Sequence, residues 1–126
     1  MAGELTPLVQ LPRYTTYAGL PSTGSILYFS TIAMDVTEYQ KAILNIWRGK
    51  LIGTAPTVAF TLQESTDQVN WSTCGGTTAA FDPGENNETQ YNATLTKRWF
   101  RLIVLLGGAD NIVSCWAVGF LEQRES

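Results

Sequence analysis

A chain of 126 residues is long enough to bury one real core and fits a single ordinary domain. Only 15% of its residues are charged and its net charge is −3, which argues against a phosphate-backbone partner because such a partner needs clustered Lys and Arg. There is no histidine, the commonest general base and metal ligand, and a surface so poor in charge is expected to hide part of itself against something else.

The first residues differ in character from the rest. Pro7, Pro12 and Pro21 favour an extended path over a central strand, while Leu5, Leu8, Val9, Leu11, Tyr14 and Tyr17 are stickier than a disordered tail should be. Residues 1–20 therefore read as an extended N-terminal arm that contributes to assembly more than to folding, with the domain proper at 21–126. No basic stretch leads into a long apolar run, so no secretory signal is expected. No run approaches the roughly 18 apolar residues of a membrane helix, so no membrane is expected either.

Beyond the arm the pattern is period two rather than helical. A strand is expected over residues 25–34, a turn at 35–38, and a strand at 39–49 that is apolar on both faces, with Ala42, Leu44 and Ile46 alternating with Ile43, Asn45 and Trp47. Residues 57–64 alternate cleanly, with Val58, Phe60 and Leu62 on one side. Residues 65–70 make a turn rich in Asp and Asn, followed by a short strand from Trp71. Gly75-Gly76 and residues 82–87 mark a longer loop, and 87–95 is a half-buried strand carrying Tyr91, Ala93 and Leu95.

The last two runs are again apolar on both faces. In 97–106, Phe100, Leu102 and Val104 alternate with Trp99, Arg101, Ile103 and Leu105. In 111–121, Ile112, Trp116, Val118 and Phe120 alternate with Val113, Cys115, Ala117 and Leu121. Gly107-Gly108-Ala109-Asp110 between them reads as a hairpin turn. The whole is an all-β protein, an antiparallel β-sandwich. Its expected core is Phe60, Leu62, Phe100, Leu102, Val104 and Val118, with Trp71 and Trp116 also placed inside.

Strands with two apolar faces need two covers. The opposite sheet supplies one; the other must come from a loop, an arm or a neighbouring subunit. The expected interface is Leu5, Leu8, Tyr14, Tyr17, Ile43, Trp47, Trp99, Ile103 and Leu105, with Trp99 its strongest anchor. A symmetric homo-oligomer covers such a face with copies of the same chain.

Catalytic signals are sparse. Cys74 and Cys115 lie far apart, supply no zinc set, and read as small buried hydrophobes, with a disulfide left open. Glu64 with Asp67 or Glu122 is the remaining carboxylate option, and Glu64 and Asp67 read better as solvated residues flanking a turn. The loop carrying Asp82, Glu85, Asn86, Asn87 and Glu88 lacks the spacing of a calcium loop. No catalytic, cofactor or metal residues are assigned.

Two stretches carry a resemblance. Residues 61–71, TLQESTDQVNW, resemble the strand–turn–Trp element of discoidin-type, galactose-binding-like domains, with Gln68 where that element has Gly. Residues 93–102, ATLTKRWFRL, are similar to that fold's loop leading into an Arg-aromatic-x-Arg-Leu strand. The arm, the hairpin and the two long terminal strands together resemble short phage-encoded decoration or minor virion proteins. That resemblance implies a jelly-roll or galactose-binding-like sandwich, made in the host cytoplasm and mounted on a virion. Its partners would be capsid or other virion proteins, and its assembly a homo-oligomer, a trimer by analogy. The other reading is a carbohydrate-binding module of a tail-associated or adhesin protein, which needs aromatic platforms beside polar groups.

Overall fold

A computed structural model describes residues 5–13, 15–17, 22–23 and 26–124. Its strands are β1 (Leu5–Leu11), β2 (Thr16–Tyr17), β3 (Ser22–Thr23), β4 (Ile26–Ser30), β5 (Met34–Asp35), β6 (Tyr39–Arg48), β7 (Ile52–Ser65), β8 (Trp71–Thr73), β9 (Asn87–Thr94) and β10 (Trp99–Gln123). All pair antiparallel, and the sheet folds on itself without closing into a barrel, as an antiparallel sandwich does. The all-β reading holds.

β10 organises everything else. On one side β7 pairs with its first half and β6 with its second, from Trp99↔Ser65 to Gln123↔Tyr39. On its other side β5 and β4 pair with the first half, while β2 and β1 pair with the second. The expected hairpin at 107–110 is therefore absent. The chain runs straight on, with register shifts at Gly107/Ala109 and Ala109/Ile112. Strands that pass from one layer of a sandwich to the other turn the corner through such bulges.

Local chemistry explains why the corner holds. Gly108 has φ 93, and a Cβ there would lie 2.6 Å from the Thr54 and Ala55 carbonyl oxygens. Buried Asn111 donates through Nδ2 to the carbonyls of Thr57, at 3.0 Å, and Gly107. That amide bridges the strand across its own kink.

The bulge also changes which residues face inward. Buried apolar positions on β10 are even-numbered through Leu106 and odd-numbered from Val113. Phe60, Leu62, Phe100, Leu102 and Val104 are fully buried, as expected. Val118 is not: it is half-buried on the outer face, as are Trp71 and Trp116, and Val113, Cys115, Ala117 and Leu121 take the inner positions. One extra residue in a strand moves every later side chain to the opposite face.

The N-terminal arm is corrected too. Residues 5–11 form a strand of the sheet, and Leu8 and Leu11 belong to the core. Pro7 fits because proline is tolerated on strands at sheet edges, and a register shift between Val9 and Leu11 lets both leucines point inward. Leu8, 3% exposed, is thus a core residue rather than an interface residue.

Candidate interaction face

The half of the sandwich made by β1, the second half of β10, β6 and β9 has an outer face that can be read as rows across the strands. The first row is Leu5, Glu122, Lys41 and Thr94; the second is Pro7, Phe120, Ile43 and Asn92. The third is Val9, Val118, Asn45 and Gln90. In the fourth, Trp116 pairs with Trp47 and Trp47 with Glu88, and the Arg13 guanidinium lies 4.7 Å from the Trp116 ring centre.

These rows grade from apolar on β1 to polar on β9. Val9 is 63% exposed, Leu5 53% and Phe120 43%, and Val118 and Ile43 are half-buried beside them. The centre of this patch carries no charge. Charged groups stand at its two ends, Lys41 and Glu122 at one and Arg13 and Glu88 at the other. Between them a shallow hollow of about 270 Å³ is lined by Pro7, Val9, Arg13, Asn45, Val118 and Phe120.

The fourth row forms an aromatic step. Trp47 and Trp116 stack with ring centres 4.4 Å apart and planes 16° from parallel. Trp116 Nε1 donates to Glu88 Oε2 at 3.1 Å, which anchors the indole at the rim. A second hollow, of about 380 Å³, is bounded by this pair together with Thr15, Thr16, Ser114 and Cys115. The Thr16 and Ser114 hydroxyls bond each other at 2.7 Å across the strands.

The residues expected at an interface do not form one surface. Leu5, Ile43 and Trp47 lie on this face. Trp99, Ile103 and Leu105 lie on the outer face of the other half, beside β4, β5 and β7. There Trp99 sits under the Arg98 guanidinium at 4.9 Å, and Arg98 is ion-paired with Asp35 at 3.1 Å. Tyr17 stacks on Phe29 at 4.7 Å and packs against the core, and Tyr14 lies outside the described residues. Val9, Trp116, Val118 and Phe120 belong to the face but were not expected there. The alternation along 111–121 carries the signal for Trp116, Val118 and Phe120, of which Trp116 and Val118 were expected inside, and the apolar run of residues 5–11 carries it for Val9.

The carboxylates are occupied structurally. Glu64 is 5% exposed rather than solvated, which corrects the expectation. It accepts from the Thr96 and Lys97 backbone N–H groups at 2.8 and 3.1 Å and from the Thr96 hydroxyl at 2.9 Å, stapling the β9–β10 connection to β7. Asp67 caps the β7–β8 turn, and the N–H groups of Asn70 and Val69 hold its carboxyl well below the usual range. Glu122 accepts from Gln40 Nε2 at 2.9 Å. Asp82 is clamped by Arg48 through Nε at 2.9 Å and Nη2 at 3.0 Å. Cys74 and Cys115 are free thiols, each pushed up to about 12, chiefly by burial. Buried thiols of that kind stay protonated and behave as small apolar groups.

No protein-family model matches the chain, and no curated protein matches it.

Proposed function

We propose that this chain is a self-associating structural protein, a small sandwich of the decoration type that binds its own copies and neighbouring capsid or other virion proteins. The observation that carries self-association is the uncharged apolar patch of Leu5, Val9, Val118 and Phe120 on one outer face. Contiguous exposed apolar surface of this kind marks interaction sites on soluble domains. The virion setting rests on the resemblance of the strand–turn–Trp element, formed by β7, its turn and β8. Sedimentation across a concentration series tests the association. The wild type is expected to associate and Phe120→Glu to remain monomeric. A wild-type monomer at high micromolar concentration would sink the reading.

A second reading is favoured by the stacked Trp47–Trp116 pair beside the Thr16 and Ser114 hydroxyls. Aromatic floors flanked by hydroxyls suit sugar rings, which stack through their C–H faces and hydrogen-bond at their edges. Glycan-array binding that disappears in Trp116→Ala would put carbohydrate recognition first.

A further inference from the structure

The outer face away from Phe120 holds a guanidinium without a carboxylate. Among the described arginines, Arg48 and Arg101 are the half-buried ones. Arg48 grips Asp82 through Nε at 2.9 Å and Nη2 at 3.0 Å. Arg101 has no acidic partner among the described residues. Its Nε donates to Gln63 Oε1 at 3.0 Å, its Cζ lies 4.0 Å from the Trp71 ring centre, and burial lowers its pKa from the usual arginine value. The carboxylates on and just after β7 are already committed, Glu64 to the backbone of residues 96–97 and Asp67 to its own turn. Gln63 and Trp71 hold the Arg101 fork in place, so a ligand meets it preorganised. The N–H groups on Nη1 and Nη2 match the two oxygens of a carboxylate, and one monoanion balances the one charge.

Where the fork ends matters as much. The Arg101 side chain starts on β10, bonds Gln63 of β7 and finishes against Trp71 of β8. Among the described strands β8 pairs with β7 alone, which leaves its far edge open. The Cys74 N–H donates to the Leu62 carbonyl at 2.9 Å, and in an antiparallel ladder bonded pairs alternate with unbonded ones. Glu64–Ser72 is therefore the next bonded pair, and the N–H and C=O groups of Trp71 and Thr73 point to the open edge. The side chains of those two residues share the outer face with Arg101. Lys97 adds a second cation on the other side of β8, its Nζ donating to Ser72 Oγ at 3.0 Å.

An extended peptide laid along this edge bonds to Trp71 and Thr73 through its backbone and sets alternate side chains on the face of Arg101. Two residues of open backbone are a weak hold by themselves, which is how short edge strands resist casual pairing. A carboxylate on the fork adds a charge-assisted bond. An apolar side chain there strips water from the guanidinium and returns nothing. We propose that the edge of β8 and Arg101 form a docking site for an extended acidic segment of a partner protein, held by backbone bonds at Trp71 and Thr73 and by an Asp or Glu carboxylate on Arg101. The site lies on the half opposite the Phe120 patch and does not depend on self-association there.

The test uses the full-length, isotopically labelled protein and a synthetic peptide, Thr-Val-Thr-Glu-Thr-Val-Thr, capped at both ends so that its termini add no charge. In an amide NMR titration the peptide is expected to move the Trp71 and Thr73 signals most. The same peptide with Gln in place of Glu is expected to bind at least about tenfold more weakly. Arg101→Gln, with its fold checked by thermal melting, is expected to bind the two peptides within about twofold of each other. Equal affinities on the wild type overturn the carboxylate contact, and unmoved Trp71 and Thr73 amides overturn the edge. An Arg101→Gln protein that still prefers the Glu peptide overturns the role of Arg101. Glucuronate that shifts these amides where the peptide does not makes this a sugar site and overturns the peptide reading. The comparison of the two peptides on the wild type decides the matter even where Arg101→Gln folds poorly.

Discussion

The two outer faces of this sandwich treat their aromatic residues differently. On the half carrying β4, β7 and β8, the Arg101 guanidinium lies 4.0 Å from the centre of Trp71 and Arg98 lies 4.9 Å from that of Trp99. On the opposite half Arg13 covers Trp116, but among the described residues no stacked cation covers Phe120. A guanidinium over an indole is satisfied by the ring and by water at once, so burying it against a partner costs desolvation. A bare phenyl group loses nothing polar when it is covered. Large side chains facing outward therefore do not all advertise the same thing; what sits on top of them decides.

The largest expected effect separates inside from outside on a single strand. Phe100 and Phe120 both belong to β10, yet one is fully buried and the other is 43% exposed. Phe100→Ala is expected to cost roughly 3–5 kcal/mol of unfolding free energy, and Phe120→Ala less than about 1 kcal/mol when the protein is kept dilute. Urea denaturation of the two variants makes the comparison directly. Similar losses would mean that the outer phenyl is built into its own subunit.

Association comes next and compares the outer faces with each other. Phe120→Glu is expected to weaken self-association at least about tenfold, and Trp99→Glu by less than about twofold. Sedimentation at matched concentrations reads both. The reverse ranking would move the contact to the face with the stacked arginines.

Much of the fold was legible because its strands obey simple alternation. Val58, Phe60 and Leu62 on β7 and Ala42, Leu44 and Ile46 on β6 point inward as their period demands. What the pattern hid was the continuity of β10. Two glycines followed by Ala-Asp look like a hairpin, and in isolation they would suit one. Only the pairing of β6 and β7 along the whole of β10 favours a bulged corner, and that is a contact between residues some sixty positions apart. The mistake then propagated, because the bulge inverts the faces of everything after it. Val118 and Trp116, expected inside, face outward after it. Glu64 was missed differently: nothing in sequence announces that a turn-flanking carboxylate will be buried under the backbone of residues 96–97.

A pH titration sharpens the comparison without touching either face. Asp67 is ionised well below the usual carboxylate range because the Asn70 and Val69 N–H groups bond its charged form. A depressed folded-state pKa stabilises the protein above the unfolded value, near 3.9, and that contribution fades as pH falls toward the folded value. Asp35 and Asp82 are shifted in the same direction, so the effects add. The thermal midpoint is expected to drop between about pH 5 and pH 2, and Asp67→Asn to flatten part of that drop. Parallel curves for the two proteins would remove Asp67 from the account.

The smallest expected effect lies in the same turn. Gln68 has φ 62, a left-handed conformation that crowds its Cβ against the backbone, and it stands where the discoidin-type element has glycine. Its own N–H is used, donating to Ser65 Oγ at 2.8 Å, and that bond survives any change of side chain. Gln68→Gly removes the strain but gives the unfolded chain more freedom, and the two effects oppose each other. At a position already left-handed the strain is expected to win, leaving a net stabilisation of roughly 0.5–1 kcal/mol by urea denaturation. The turn follows β7 and leads into Trp71, on the half whose aromatics lie under arginines, away from Phe120 and Val9. Self-association should therefore remain at its wild-type value while the fold gains stability. A variant that gained stability and also changed its association constant would show that the two halves are coupled, and that the outer faces cannot be treated as separate surfaces.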